Sequence, residues 1–353
     1  MEVLITGGAG FIGANVAVGL AARHGDWRVT AVDNLRRRGA ELNLPRLRAA
    51  GVGFQHADVR VLDDLLTLGR FDAVVECSAE PSALAGVDGS PDYLIQSNLV
   101  GAYNCLELAR RREAYVVFLS TSRVYPIEPL RGLSFQETAT RLELADDQPF
   151  AGASRHGIAE DFPLEGARTL YGTTKLAAEL LIAEYRDVYG LRAVVNRCGV
   201  IAGPWQMGKV DQGVFTYWML AHHFGRPLSY IGFGGAGKQV RDLLHVEDLV
   251  ELLDEQLGDP GRWDGVTANV GGGRECCLSL AETTELCAEL TGRRLELGVV
   301  PETRPGDVPS YVSDCRRLFG LTAWRPRRDA RTILADTQAW VAAHEVELER
   351  LLR

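Results

Sequence analysis

The chain has 353 residues, 46% of them hydrophobic and 24% charged, with a net charge of −9 and a pI of about 5.4. That is material for one large or two ordinary globular domains, and the acidic balance argues against nucleic acid or an anionic membrane surface as the main partner. No apolar run reaches the roughly 18 residues of a membrane span, and Met1-Glu2-Val3-Leu4-Ile5 lacks the basic start and longer apolar core of a secretory leader, so a cytoplasmic protein is expected. The seven cysteines show no C-x-x-C pair or metal-ligand cadence; no metal is expected, and most should be small buried residues.

Residues 2–6 form a short apolar run that stops at Thr6-Gly7-Gly8-Ala9-Gly10-Phe11-Ile12-Gly13, and residues 15–23 read as helix. Strand, glycine turn and helix start in that order make a dinucleotide-binding turn. Gly7 serves the tight turn, Gly10 lets backbone approach a pyrophosphate, and Gly13 allows close packing of helix on strand. Residues 28–32 read as a second strand ending in Asp33-Asn34. Asp33 follows Gly13 by about 20 residues, the separation at which a carboxylate meets the adenosine ribose hydroxyls. A carboxylate there repels a 2′-phosphate, so NAD is favoured over NADP, and Arg36, Arg37 and Arg38 read as a solvated basic loop.

Residues 53–56 read as the third strand, followed by Asp58-Val59, where a side chain could meet the adenine. Residues 71–77 form the fourth, leading into Ser78-Ala79-Glu80-Pro81-Ser82. Residues 93–112 read as helix carrying Asn98 and Asn104, and residues 115–119 as the fifth strand. Strands alternating with helices imply an α/β fold, a Rossmann-type doubly wound parallel sheet that binds ligands at its C-terminal strand ends. At the end of the fifth strand stands Ser120-Thr121-Ser122-Arg123-Val124-Tyr125, where a hydroxyl could hydrogen-bond a substrate oxygen. The stretch from Tyr125 to Tyr171 holds Pro126, Pro129, Pro149 and Pro163 and reads as a long functional lid.

Tyr171-Gly172-Thr173-Thr174-Lys175 opens a helix expected over residues 171–189. Positions four apart share a helix face, so the Tyr171 hydroxyl and Lys175 ammonium can share one site. A cation beside a phenol favours its phenolate, which can accept a proton from an alcohol near neutral pH. Residues 193–197 read as another strand, and Gly203-Pro204 ends the nucleotide-binding region. The expected division is therefore a NAD-binding domain over 1–203 and a smaller, interleaved α/β substrate region over 204–353, some of whose segments return to the sheet. In that region helices are expected at 214–224, 246–257, 278–291 and 330–344, and extended segments at 228–231 and 268–270. Its loops carry Lys238, Arg241, His245 and Arg304, cations able to hold a diphosphate.

With these residues placed, the chain resembles an extended short-chain dehydrogenase/reductase of the nucleotide-sugar epimerase/dehydratase group. The resemblance covers nearly the whole chain, through Thr6 to Gly13, Asp33-Asn34-Leu35, Asp58-Val59, Ser120 to Tyr125, Tyr171 to Lys175, Gly203-Pro204, Gly237-Lys238-Gln239-Val240-Arg241-Asp242, His245-Val246-Glu247-Asp248, Asn269-Val270-Gly271-Gly272 and Arg304-Pro305-Gly306-Asp307. Within the group it is most similar to CDP-paratose/CDP-tyvelose 2-epimerases, through Asp33 to Ala40, Ser120 to Tyr125 and Asp211-Gln212-Gly213.

The resemblance implies a tightly held NAD, used and regenerated within one turnover. Tyr171 would take the proton of a sugar hydroxyl, Lys175 would lower the Tyr171 pKa and bind the nicotinamide ribose, and Thr121 would position the oxygen. Cofactor contacts are implied for Gly7, Gly10, Phe11, Ile12, Gly13, Asp33, Asn34, Arg37, Asp58, Val59, Cys77, Ser78, Ala79, Asn98 and Ser120, besides Tyr171 and Lys175. Substrate contacts are expected from Glu80, Arg123, His156, Glu160, Trp205, Lys209 and Gln212, and from Lys238, Arg241 and Arg304. The implied partner is a CDP- or GDP-sugar, and the implied assembly a homodimer or homotetramer. Sugar 4,6-dehydratases carry Asp-Glu directly after the catalytic Thr, and UDP-glucuronate decarboxylases a Glu at the second of these positions. Here Ser122 and Arg123 stand there, which disfavours both reactions. Two further departures are Pro126, where Gly is usual, and Val200, where many relatives have Asn. The competing expectations are pyranose/furanose interconversion or 4-epimerisation on the same scaffold, and a non-catalytic dinucleotide sensor, against which the intact Thr121, Tyr171 and Lys175 count.

Overall fold

A computed structural model of the chain describes residues 1–87, 89–208 and 212–352. It falls into two units: Met1–Thr121, Leu170–Arg197 and Leu249–Thr267 form the first, and Ser122–Thr169, Cys198–Asp248 and Ala268–Arg353 the second.

The first unit is built on a parallel sheet. Its strand order, from one edge of the unit, is Ala193–Cys198, Tyr115–Thr121, Ala73–Glu76, Glu2–Thr6, Arg28–Asp33, Gly53–His56. The interior strands are near-continuous apolar runs, as strands covered on both faces must be, and every residue of Tyr115–Thr121 is buried. Leu4, Val74, Val116 and Phe118 pack with Leu106 and Ala109 of the Gly101–Arg112 helix and with Ala178 and Ile182 of the Leu170–Tyr189 helix. Chain order reverses between Glu2–Thr6 and Ala73–Glu76, where Thr6 stands opposite Glu76. In a doubly wound sheet this switch point opens the crevice that receives a ligand. Sequence periodicity predicts one helix over 93–112. Instead Asp92–Ile95 and Gly101–Arg112 flank a wide π-helical turn at Gln96–Val100, which carries the buried Asn98. One extra residue in a helix is invisible to a 3.6-residue period.

In the second unit, Val240–His245 runs parallel to Val200–Ala202 and to Ser310–Tyr311 and antiparallel to Cys277–Ser279. The helices Val214–Phe224, Leu280–Thr291 and Ala330–Ala343 close over a core that includes Phe215, Trp218, Met219, Leu243, Cys287, Ile333 and Leu334. The helix expected over 278–291 begins two residues later. Ser279 is its N-cap: the Ser279 Oγ accepts from the Glu282 N–H at 3.1 Å, and the Glu282 carboxylate accepts from the Ser279 N–H at 2.9 Å. This reciprocal box leaves Cys277–Ser279 extended.

The proline-rich stretch between Tyr125 and Tyr171 is not a bare loop. It holds the Ile127–Arg131 helix and two small hairpins, Phe135–Glu137 with Leu142–Leu144 and Ala153–Ser154 with Gly157–Ile158. The Tyr125 hydroxyl donates to Asn269 Oδ1 at 2.8 Å, and Asn269 Nδ2 donates to the Ile158 carbonyl at 2.8 Å, so the segment is pinned from within. Strands of two or three residues are too short to show an apolar alternation. Among the described residues no helix is long and apolar enough to cross a membrane.

Replacing Ser279 by Ala removes one half of the capping box and leaves the helix amides without their acceptor. The unfolding free energy should fall by about 1 kcal/mol, read by urea titration.

Candidate active site

The glycine turn follows the Glu2–Thr6 strand and leads directly into the Phe11–Arg23 helix. Gly7 has φ +60°, and a Cβ there would stand 2.9 Å from the Cys77 carbonyl carbon. A Cβ on Gly13 would come within 2.2 Å of the Gly7 oxygen, and one on Gly10 within 3.0 Å of the same atom. Gly10 caps the helix with no side-chain hydrogen bond, so the amides of Phe11, Ile12 and Gly13 are presented at the positive helix end. This is a cradle that admits backbone-close anions and excludes side chains.

Asp33 closes the adjacent Arg28–Asp33 strand. Its Oδ2 accepts from the Ala9 N–H at 3.1 Å and its Oδ1 from the Leu35 N–H at 2.8 Å. Burial pushes its pKa up while these two N–H groups oppose the rise. Asn34 Nδ2 donates to Asp58 Oδ2 at 3.1 Å, and Arg60 grips the same carboxylate at 2.6 Å, holding the Asp58 pKa down to about 2. Arg60 was not among the sequence candidates, because one arginine in a polar turn carries no pattern. Val59 is buried and its carbonyl accepts from Asn104 Nδ2. Arg37 belongs to the turn that leads into Ala40–Leu42, its carbonyl accepting from the Ala40 N–H. The Cys77 N–H donates to Thr6 Oγ1 at 3.3 Å, Ser78 is buried, and Ala79 is exposed. Asn98 accepts from the Glu80 N–H at 2.8 Å and donates to the Glu80 carbonyl at 3.1 Å, which fixes the loop after the fourth strand. The glycine cradle and the anchored Asp33 carboxylate fit the pyrophosphate and the ribose of a dinucleotide.

Thr121 ends the buried fifth strand. The Leu170–Tyr189 helix packs along that strand and carries Tyr171 and Lys175 one turn apart. Tyr171 is half-buried; Lys175 is buried, with its Nζ 3.2 Å from Glu76 Oε2 and 4.5 Å from the centroid of the Phe118 ring. Burial opposes the Lys175 charge, but the Glu76 carboxylate and Tyr171 outweigh it and raise the Lys175 pKa. One turn further on, Glu179 accepts from the Ser120 hydroxyl and pairs with Arg197 at 2.8 Å. Thr174 Oγ1 donates to the Tyr171 carbonyl at 2.8 Å and accepts from Asn98. The first unit thus carries Tyr171 and Lys175 on the helix packed along the strand that ends in Thr121, with Glu76 against Lys175 and Glu179 against Ser120. Glu76 did leave a signal, as the one charge in the apolar run Ala73-Val74-Val75-Glu76.

Within the second unit, a pocket of about 410 Å³ including its mouth is lined by Ser122, Arg123, Tyr125, Ile127, Leu130, Thr169, Val200, Arg241, Val308 and Tyr311. Arg123 Nη1 donates to the Gly306 carbonyl at 2.9 Å; Arg241 Nη2 donates to Asp307 Oδ1 at 2.7 Å and to the Val308 carbonyl at 2.8 Å. Burial pushes the Arg241 pKa down to about 10, with Asp307 holding it up and Arg123 adding repulsion. Two guanidiniums on one largely apolar pocket favour an anionic guest.

The other sequence candidates have their own surroundings. Lys238 Nζ donates to Glu137 at 2.7 Å and to the Thr138 carbonyl at 2.8 Å. Trp205, at φ +72°, packs on Trp340 and His344. His156 is exposed on the second hairpin, and Arg304 lies in the turn closed by its carbonyl and the Asp307 N–H. The Glu160 carboxylate accepts from the Asn269 N–H at 2.6 Å and is raised by burial. His245 is buried 3.4 Å from Asp336. The Glu80 carboxylate accepts from the Ser82 N–H. Gln212 is half-buried ahead of the Val214–Phe224 helix, and Lys209 and Asp211 lie outside the described residues.

The chain is 28% identical to the CDP-paratose 2-epimerase of Salmonella typhi over 97% of its own length and all of that protein. It is 30% identical to the dTDP-glucose 4,6-dehydratase of Mycolicibacterium smegmatis, covering 98% and 94% of the two chains. The crystal structure of Thermus thermophilus UDP-glucose 4-epimerase in complex with NAD superposes with a TM-score of 0.76 at 26% identity, covering 97% and 99% of the two chains. The NAD dependent epimerase/dehydratase family matches residues 3–271. A match of that extent makes the chain a member of the NAD dependent epimerase/dehydratase family: it is an enzyme, and its cofactor is NAD.

Proposed function

We propose that the enzyme epimerises a nucleotide-diphosphate sugar in the manner of a CDP-paratose 2-epimerase, oxidising one sugar hydroxyl to a ketone and restoring it with inverted configuration. The observation that carries this reading is the half-buried Tyr171 phenol one helical turn from the buried Lys175 ammonium, on the helix that packs along the strand ending in Thr121. Bound NAD supplies a hydride acceptor and, once reduced, a hydride donor. Tyr171 takes the hydroxyl proton as the carbinol is oxidised and returns it to the carbonyl oxygen on reduction, so no proton is consumed over the cycle. Lys175 favours the phenolate in the first half and reprotonation is uphill by no more than that preference in the second. Thr121 donates to the same oxygen.

In this reading the first unit holds the dinucleotide, through the amides of Phe11, Ile12 and Gly13 and the Asp33 carboxylate, and the second unit receives the nucleotide sugar. Arg123 and Arg241 are assigned to the diphosphate or another anionic part of the substrate. Sequence continuity supports this, since Ser122 follows Thr121 directly and Thr169 precedes Tyr171 by two positions. Elimination of water requires a carboxylic acid and a carboxylate beside the reacting carbon, whereas the residues after Thr121 are a hydroxyl and a guanidinium. That separates the chain from its dehydratase relative and favours the epimerase. A CDP- or GDP-sugar is the assigned substrate, the CDP-sugar on the strength of the full-length similarity to the Salmonella enzyme. Free cysteines suit a reducing cytoplasm. Exposed Tyr103, Leu180, Val188 and Tyr189 on two helices of the first unit support assembly into a homodimer or homotetramer.

Tyr171→Phe should lower turnover by about 100-fold or more while the purified protein keeps its NAD(H), measured after denaturation. Gly13→Ala places a methyl against the Gly7 carbonyl; it should lower the NAD(H) content and cost about 1–3 kcal/mol of stability. Incubation with CDP-, GDP- and UDP-sugars followed by NMR should show inversion at C2 with no solvent deuterium entering that carbon in deuterated water. Inversion at C4 or ring contraction would replace the 2-epimerase assignment, and no reaction across the panel would remove the nucleotide-sugar reading.

A further inference from the structure

Glu76 is out of character with its strand. All four residues of Ala73–Glu76 are buried, and Glu76 stands between Thr6 of one neighbouring strand and Phe118 of the other. An ionised carboxylate in the middle of a parallel sheet is unfavourable unless a partner neutralises it. The partner is Lys175, at 3.2 Å, and the two side chains are 2% and 3% exposed. The remaining groups around the pair are Tyr171 on the lysine's own helix, Cys77 beside the carboxylate, Cys105 from the Gly101–Arg112 helix, and the Ser78 N–H, which donates to Glu76. Burial pushes the Glu76 pKa up while Lys175 and the Ser78 N–H oppose the rise, and among these described neighbours Glu76 is the carboxylic acid.

A lysine buried this deeply with no counter-charge gives up its proton, because burial disfavours the charged form. A neutral amine could not favour the Tyr171 phenolate. Tyr171 itself neutralises the ammonium only while deprotonated, so in the other half of the cycle the lysine needs a second anion. We propose that Glu76 is a positioning residue of this active site: its buried ion pair fixes the Lys175 head group and keeps it an ammonium in both protonation states of Tyr171. The inference rests on the reading of Tyr171 as proton acceptor. It also gives a reason for an acid at the strand end next to the switch point, where Glu76 acts on the reaction through Lys175.

Glu76→Gln keeps the shape and removes the charge. Tyrosinate absorption is titrated in the purified protein, with the Tyr171→Phe change made in each background to isolate Tyr171 by difference. Tyr171 should titrate about one pH unit or more higher in Glu76→Gln than in the unaltered protein. Turnover at neutral pH should fall about tenfold or more with KM little changed, and the acid limb of the pH profile should move up by the same interval. Adding Lys175→Met to Glu76→Gln should shift the Tyr171 titration little further. A Tyr171 titration at the same or lower pH in Glu76→Gln, with an unmoved acid limb, would reduce Glu76 to a structural residue and overturn the proposal. If Glu76→Gln yields no folded protein, Glu76→Asp decides: a carboxyl drawn back by one methylene should give a smaller shift in the same direction, and no shift overturns the proposal. The titration uses no sugar, so it stands whatever the nucleotide-sugar panel returns.

Discussion

A buried ammonium one helical turn from a phenol is the interaction on which the proposed reaction depends. Taken alone, neither group suits a protein interior: the amine would lose its proton and the phenol would keep its own. The first unit makes the combination possible by surrounding Lys175 with the Glu76 carboxylate, the Phe118 ring face and Tyr171. The sheet then acts as more than a scaffold. Its fourth strand brings the counter-charge, its fifth ends in Thr121, and the helix packed on the fifth carries the phenol. A Lys and Tyr four apart on a solvated helix would have the same spacing and none of this chemistry, because water would screen the pair.

The two units divide the electrostatics. In the first, negative charge is held at the strand ends by Asp33, Asp58 and Glu76, and the offered positive charge is that of backbone amides at the Phe11–Arg23 helix start. In the second, the pocket presents two guanidiniums, Arg123 and Arg241, the latter with its pKa pushed down to about 10 by burial and still a cation at neutral pH. Asp307 and the carbonyls of Gly306 and Val308 orient these groups. A net charge of −9 over the whole chain is therefore no guide to what either site prefers.

Much of this is legible in the sequence. Gly7, Gly10 and Gly13 announce themselves by their spacing between strand and helix, with Gly7 and Gly13 leaving no room for a Cβ, and Tyr171 and Lys175 because helical spacing predicts their proximity. The strand and helix order followed from alternating apolar runs. What escaped notice was of two kinds. The break at Gln96–Val100 and the extended Cys277–Ser279 depend on single residues, an inserted one in the first case and a capping serine in the second. Arg60, Glu179 and Glu76 act through partners 2, 18 and 99 positions away, and for the last two a linear reading has no rule connecting such distant charges. The candidates drawn from resemblance for the sugar end fared unevenly in location: Arg123 lines the pocket, while Trp205 lies against Trp340 and His344.

Asn98 links two parts of the site with one small amide. It holds both backbone polar groups of Glu80 and reaches Thr174, whose hydroxyl in turn holds the Tyr171 carbonyl. Aspartate would lack the donor for the Glu80 carbonyl, and glutamine would be a methylene too long for the same span. Position 98 is for that reason a bottleneck for divergence: the loop that follows the fourth strand and the first turn of the Tyr171 helix are obliged to evolve in step, since whatever displaces one is felt by the other through a single side chain.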